Sequence, residues 1–265
     1  MTVFKNRIER LDGADEIVRD ALSLILPKVA DAGRRNFLRQ SLTLGGVALL
    51  SGCSLTDNTR VEAALQAISR FNDDMQARLF NPNLLAPTYP DSMITRPFPF
   101  NAYYGEDEVR VLDGTAWRLQ MSGLVGKVGQ HRWSLDDLRA LPQSVQTTRH
   151  ICVEGWSAIG RWGGVQLSEV LKRSQADLRA RYVDFRCADG YHTSIDMATA
   201  LHPQTIVALD WDGEPLPPKY GYPVKVRIPT KLGYKNPKHI ETVIVTNEHP
   251  GGYWEDQGYN WFGGC

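Results

Sequence analysis

Apolar and polar positions follow two different rhythms along the chain. Over residues 59–80, Val61, Leu65, Ile68, Met75 and Leu79 recur at helical spacing with charged residues between them, which predicts a helix. Asn81-Pro82 is its stop signal. Across 81–100, Pro82, Pro87, Pro90, Pro97 and Pro99 remove amide donors and fix φ, so this stretch is expected to be an extended connection. The folded core should then begin near Phe100. From there the rhythm changes to short β-rich runs at 117–121, 145–153, 182–187, 205–211, 224–228 and 242–246. Ser134 before Leu-Asp-Asp and Ser168 before Glu-Val-Leu offer N-cap oxygens for short helices between strands. These elements predict an α+β domain with a mixed, strongly bent sheet and short helices. No repeat or low-complexity tract occurs, and no glycine-rich phosphate loop follows a strand, which disfavours a nicotinamide or flavin site.

Residues 33–53 read GRRNFLRQSLTLGGVALLSGC. The apolar run at 42–50 is shorter than the roughly 20 residues a membrane-spanning helix needs. Arg34, Arg35, Phe37 and Leu38 followed by that run resemble a twin-arginine export signal. Leu50-Ser51-Gly52-Cys53 matches the bacterial lipoprotein cleavage pattern. That route carries proteins folded around a cofactor, so the resemblance implies a prosthetic group, the twin-arginine machinery as a partner, and a periplasmic protein lipid-anchored through Cys53. The expected organisation is a removed signal at 1–52, a helix and Pro-rich connection at 53–99, and one domain at 100–265. Residues 1–33 are a long lead for such a signal, with Ile17, Ala21, Leu24 and Ile25 at helical spacing, as a start codon read too far upstream would give.

Composition narrows the partners. With 265 residues, 42% hydrophobic and 23% charged, the chain is long and apolar enough for a globular domain. Thirty basic residues balance thirty acidic ones, so no global field gathers nucleic acid or an anionic membrane. A small molecule and another protein are the expected partners. Cys53, Cys152, Cys187 and Cys265 have no close pair of the zinc or thioredoxin kind, and His192, His202, His239 and His249 have no spacing that suggests a separate metal site.

In Gln146-Thr-Thr-Arg-His-Ile-Cys-Val-Glu-Gly-Trp-Ser157 a β-prone run ends at Cys152 and passes into a loop opened by Gly155. Period-two geometry puts Thr148, His150 and Cys152 on one face. A thiolate at a strand end suits a soft metal or a nucleophile. Taken alone, an inert buried cysteine fits equally well.

CVEGWS (152–157), Trp162-Gly163-Gly164-Val165, LHPQTIVALDWDGEPLPPKYGYPVKVRIP (201–229) and KLGYKNPKHIETVIVT (231–246) closely resemble the sulfite oxidase family of molybdopterin-dependent oxidoreductases. Within it the likeness is greatest to the periplasmic methionine sulfoxide reductase catalytic subunits, whose segment runs CVEAWS. The resemblance covers most of 100–254 and implies a sulfite oxidase-type molybdopterin-binding fold with one molybdenum-molybdopterin of a single pterin. It makes Cys152 the protein ligand to molybdenum, with Glu154 and Trp156 beside it as catalytic residues. Asn101 and Tyr104 in FNAYYG, then Cys187, Tyr220, Lys225, Asn236 and Lys238, fall at cofactor-binding positions. Lys235 matches the same cofactor-binding turn as Asn236 and Lys238, and His150 and Arg227 join the set as neighbours. Lys225 stands where relatives carry Arg, a weaker clamp for a phosphate that Arg227, two residues on, could compensate. Cys187 aligns with a Thr, and a structural role for it is equally open. Cys265 has no counterpart.

Sulfite-oxidising members follow their cysteine with AGNRR, whose arginines hold the dianion. Here no arginine follows Cys152 until Arg161, and a carboxylate such as Glu154 repels an anion at short range. The resemblance therefore implies oxygen-atom transfer at sulfur, as reduction of a small S-oxide or a protein methionine sulfoxide. Electrons would come from a membrane b-type cytochrome, and the protein would act as a monomer. Sulfite oxidation on the same fold and a non-catalytic cofactor-binding lipoprotein are the alternatives.

Overall fold

The computed structural model describes residues 59–265. Arg34, Arg35, the apolar run and Cys53 lie outside the described residues. The chain divides into two compact units at Asp74 and Met75, and the site lies wholly in the second. Helix α1 (Thr59–Leu79) forms where the 3.6-residue period predicts it. Among the described residues no helix is long and apolar enough to cross a membrane.

Among the described residues, ten strands make two five-stranded sheets. The first contains β1 (Leu119–Gly123), β2 (Arg132–Trp133), β5 (Tyr182–Cys187), β6 (His192–Asp196) and β10 (Ile240–Thr246), in the order β2-β1-β10-β5-β6. β1 runs parallel to β10, and the other pairs are antiparallel. The second is built from β3 (Gln143–Ile151), β4 (Ser157–Gln166), β7 (Ile206–Trp211) and β8 (Glu214–Pro215), with β9 (Lys225–Arg227) also on β7. Three short helices, α2 (Leu135–Arg139), α3 (Leu167–Arg173) and α4 (Met197–Leu201), connect them. The main core gathers Trp117, Leu119, Met121, Trp133, Phe185 and Val243 with Val207 and Val226 from the second sheet. The α+β sulfite oxidase-type fold anticipated from sequence is the one observed.

Four strands were not legible: the two-residue β2 and β8, and the longer β4 and β6. β4 carries Gly160, Gly163 and Gly164, a composition that weakens strand propensity. The glycines are there for close packing. A Cβ on Gly164 would stand 2.1 Å from the Val207 carbonyl oxygen, and one on Gly160 2.3 Å from the Trp211 ring. β6 is short and polar, yet it hydrogen-bonds to β5 through a hairpin whose turn is Asp189-Gly190, with Gly190 at φ +90. That dipeptide is a hairpin signal that could have revealed it.

Ser134 caps α2 as expected, its hydroxyl accepting from the Asp137 amide at 3.1 Å. Ser168 does not cap α3. That helix begins one residue earlier, Gln166 occupies the N-cap without a side-chain bond, and Ser168 is buried in the first turn. The connection at 81–100 is extended, but core packing starts before Phe100. The Tyr89 amide donates to Thr147 O and the Thr95 amide to Ile159 O, each at 2.9 Å. Phe98 packs with Trp162, Trp211 and Tyr220 in a second cluster. Phe98 thereby packs on both strands beside the Cys152 turn, against His150 of β3 and Trp162 of β4.

Candidate functional site

Cys152 is the first residue past β3. Its amide donates to Trp156 O at 2.9 Å, and the Gly155 amide donates back to Cys152 O at 3.1 Å. Gly155 takes φ +92, a left-handed conformation that glycine adopts without the Cβ penalty. This tight turn sets three side chains. Cys152 Sγ lies 3.6 Å from Glu154 Oε2, and the same oxygen accepts the Trp156 indole N–H at 3.0 Å. The Trp156 ring in turn lies over His150, with centroids 5.7 Å apart. Cys152 is buried. Burial pushes its thiol pKa up, and the Glu154 charge adds to this against opposing backbone hydrogen bonds. A thiolate here therefore calls for a cation beside the sulfur, which a bound metal ion would provide.

Cys152, Val153 and Glu154 form one wall of a cavity of about 210 Å³. Phe100, Asn101, Tyr103 and Tyr104 line it from the extended connection, and Asp189 and Tyr191 from the β5–β6 hairpin. Tyr234, Asn236 and Lys238 enter from the segment between β9 and β10, and Trp254 and Tyr259 from beyond β10.

The surrounding polar groups are strongly biased to donors. Lys238 Nζ donates to Asn101 O at 2.5 Å and Lys219 O at 2.8 Å; burial lowers its pKa to about 8, with Asp189 and Glu106 opposing. Asn236 Oδ1 accepts from Arg227 Nη1 at 2.9 Å and from the Ile228 amide at 2.7 Å. Arg227 Nη2 also donates to Arg149 O at 2.6 Å. Burial, with the charges of Arg227, Lys225 and Lys238, holds His150 well below the usual imidazole range. It is a neutral ring near pH 7. Asn101 Nδ2 donates to His150 Nε2 at 3.3 Å, which leaves the proton on Nδ1. His150 Nδ1 and Arg227 Nε are buried without a hydrogen-bond partner. Both residues lie behind the lining residues Asn101 and Asn236, so they polarise the site from behind it and do not meet a cavity ligand directly. An anionic, heteroatom-rich cofactor fits this set, and a soft metal fits the one thiol at the cavity wall.

A family model described as oxidoreductase molybdopterin binding domain matches residues 106–254, which include most of the cavity lining but not its 100–104 segment or Tyr259. The chain belongs to that family. It is a molybdopterin-dependent oxidoreductase. The chain is 60% identical over 260 residues, 98% of both proteins, to a putative protein-methionine-sulfoxide reductase subunit, YedZ1, of Azospira oryzae. It is 33% identical over 163 residues to the protein-methionine-sulfoxide reductase catalytic subunit MsrP of Xanthomonas campestris, covering 56% of this chain and 50% of that one. An uncharacterized oxidoreductase of Bacillus subtilis, YuiH, is 29% identical over 64% of this chain and 85% of its own.

Set against the positions expected for a molybdopterin oxidoreductase, the structure divides the residues into two groups. Cys152, Glu154, Asn101, Tyr104, Asn236 and Lys238 come together on the cavity lining. Trp156, His150, Lys225, Arg227, Lys235, Tyr220 and Cys187 are not on it. Trp156, His150 and Arg227 stand directly behind lining residues, through the contacts above. Lys225 is fully buried over the Trp162 ring, 4.8 Å from its centroid, and burial drives its pKa well down. The Lys235 ammonium bonds Glu255. Tyr220 donates its hydroxyl to Phe98 O at 2.8 Å inside the second cluster. Cys187 packs in the main core, where burial raises its thiol pKa well above normal.

Sequence reasoning missed Tyr103, Asp189, Tyr191, Trp254 and Tyr259. Asp189 Oδ2 accepts the Tyr104 hydroxyl at 3.0 Å, Oδ1 accepts the Tyr191 amide at 3.0 Å, and its carbonyl takes the Tyr103 hydroxyl. It thus pins the Tyr103-Tyr104 segment onto the β5–β6 turn. Only the Asp-Gly turn dipeptide hinted at this.

Proposed function

We propose that this molybdopterin oxidoreductase reduces S-oxides, of the methionine sulfoxide type, in the periplasm. The observation that carries the reading is the composition of the wall around Cys152. Glu154 lies at the sulfur, and among the described residues lining the cavity there is no arginine. A sulfite dianion would meet a carboxylate there without the bidentate cation that such anions favour. A neutral sulfoxide meets no such repulsion. Arg161, the first arginine after Cys152, sits on β4 and faces Asp91 at 3.7 Å. The names carried by the Azospira and Xanthomonas relatives point the same way.

Cys152 is the residue to hold molybdenum, with a single pterin extending along Asn101, Tyr104, Asn236 and Lys238. Arg227 supplies positive charge behind that groove. When bound, the cofactor moves one oxygen atom to or from a lone-pair centre and carries two electrons. Reduction releases the sulfoxide oxygen as water, which requires two protons. Glu154 is exposed and also lines the cavity, so it is suited to pass protons from solvent. Trp156 fixes the carboxylate through its indole N–H, and neutral His150 supports Trp156 by ring contact and orients Asn101. Lys238, bonded to the Asn101 and Lys219 carbonyls, joins both of those segments to the 233–238 turn.

Electrons are supplied by a separate membrane b-type cytochrome. The Arg34-Arg35 pair directs export of the folded protein, and Cys53 carries its lipid anchor. The test is steady-state turnover of cofactor-loaded protein with a reduced dye. Methionine sulfoxide and dimethyl sulfoxide should be reduced far faster than sulfite is oxidised with an artificial acceptor. Efficient sulfite oxidation without sulfoxide reduction would overturn the reading.

A further inference from the structure

Lys235 and Glu255 form an ion pair with side chains 0% and 3% exposed. Thr193 Oγ1 donates to the same Glu255 oxygen at 2.5 Å. Desolvation makes a buried pair a poor source of stability, so its value lies in what it fixes in place. Here that is the segment 250–263. The segment is also tied down at Ser194 Oγ, which donates to Gly251 O at 2.6 Å, and at the Tyr253 amide, which donates to His192 O at 2.9 Å. Tyr234 Oη donates to Asn260 O at 2.5 Å, and the Leu232 amide to Gly263 O at 2.8 Å.

Fixed this way, the segment brings Trp254 and Tyr259 to the cavity lining. Their ring centroids are 5.1 Å apart, and Tyr234 stands 5.9 Å from Tyr259. Tyr259 is 37% exposed and Val153, on the Cys152 wall, 46%; both are lining residues, so they mark the mouth through which a substrate enters. The aromatic wall thus borders the entrance and contributes no charge. Ring edges attract polarisable sulfur and its methyl group.

We propose that Trp254 and Tyr259 form a subsite for the methyl-sulfur end of an alkyl methyl sulfoxide, and that the Lys235–Glu255 pair positions this wall. The subsite rests on the S-oxide reduction proposed above. Lys235 is accordingly a positioning residue and does not ligate the cofactor.

Cofactor-loaded Trp254→Ala and Tyr259→Ala are assayed with reduced dye against dimethyl sulfoxide, methionine sulfoxide and trimethylamine N-oxide, which lacks sulfur. The expected result is a KM for the two sulfoxides raised by up to about tenfold, the range of a lost sulfur–aromatic contact. The N-oxide KM and the molybdenum content should stay near wild type. Glu255→Gln should raise the same KM values and quicken amide exchange over 250–263, and Lys235→Met combined with Glu255→Leu, which leaves no lone charge, should reverse both effects. A wild type that reduces no sulfoxide overturns the reaction itself. A wild type that does, with ring variants that alter all three substrates equally or none, overturns the subsite alone. Loss of molybdenum from a folded Lys235→Met single variant would return Lys235 to the cofactor. If Glu255→Gln does not fold, the ring variants and the Lys235→Met metal content still decide both parts.

Discussion

The Cys152 sulfur and the Glu154 carboxylate meet at 3.6 Å, and one indole N–H from Trp156 fixes that carboxylate at 3.0 Å. A thiol and a carboxylate are thus set side by side by a single five-residue turn, with no long-range contact needed to bring them together. Either side chain can be changed while the turn's backbone bonds, Cys152 N to Trp156 O and Gly155 N to Cys152 O, are kept.

Cys152→Ser is expected to keep the fold and to lose molybdenum, the Mo(V) signal and sulfoxide turnover, because a hydroxyl is a poor ligand for a soft metal. Glu154→Gln should retain the metal and lower turnover by about 10–100-fold, the usual effect of changing a group next to a ligand. Metal analysis beside steady-state rates separates the two. A Ser variant with full activity would remove Cys152 as the ligand.

Arg161→Gln should leave sulfoxide turnover close to wild type. The side chain is 37% exposed and its partner Asp91 60%, and an exposed pair of this kind is worth about 0–1 kcal/mol. The chemical denaturation midpoint should move little as well. Sulfite oxidation by the wild type that vanished on this single change would place the protein among sulfite oxidisers.

Arg34→Lys with Arg35→Lys is expected to leave the protein in the cytoplasm, and Cys53→Ala to release exported protein from membranes. Several acyl chains at ~0.8 kcal/mol per buried methylene anchor firmly. Fractionation at high salt is the measurement. Cys53→Ala protein that stayed in the membrane fraction would show that another element anchors it.

Cofactor-free protein should become more stable between pH 7 and pH 10. Lys231 is buried, 3.6 Å from Asp196 Oδ2 and close against the Phe262 ring. Burial lowers its pKa from 10.5 to about 7, with Asp196 opposing and Lys235 reinforcing. Above pH 7 the folded protein has released this proton while the unfolded chain holds it until about 10.5, so stability rises with pH across that window. Lys231 alone can contribute up to about 1.4 kcal/mol per pH unit. Lys231→Met should flatten the rise, because Asp196 keeps its bonds to Thr199 N and Oγ1 at 2.8 and 2.6 Å. Urea unfolding at pH 7 and 9 tests this, and parallel behaviour of the two proteins would discount Lys231 as the source.

What could be read from sequence follows from how local each signal was. The Cys152 turn was legible because alternation along β3 and the Gly155 break are encoded within twelve residues. The resemblance carried Asn101, Tyr104, Asn236 and Lys238 to the cavity because their segments match by motif. It could not separate buried lysines by role. Lys225, Lys235 and Lys238 read alike as charges, and only tertiary packing puts one over Trp162, one against Glu255 and one on the lining. Asp189, Trp254 and Tyr259 escaped because loops far apart in sequence bring them together. β4 escaped because its glycines serve the approach of Val207 and Trp211 and not its own strand propensity.

The parallel pairing of β1 with β10 has a consequence for biosynthesis. In the first sheet β1 neighbours only the two-residue β2 and β10, and its Gln120–Gly123 register is matched by Thr242–Val245. During synthesis this sheet therefore stays open until β10 has emerged. Tyr234 and Lys238 precede β10 and Trp254 and Tyr259 follow it, so the cavity is completed at that same late moment. Contacts this distant in sequence form slowly, so the cavity is a late product of folding.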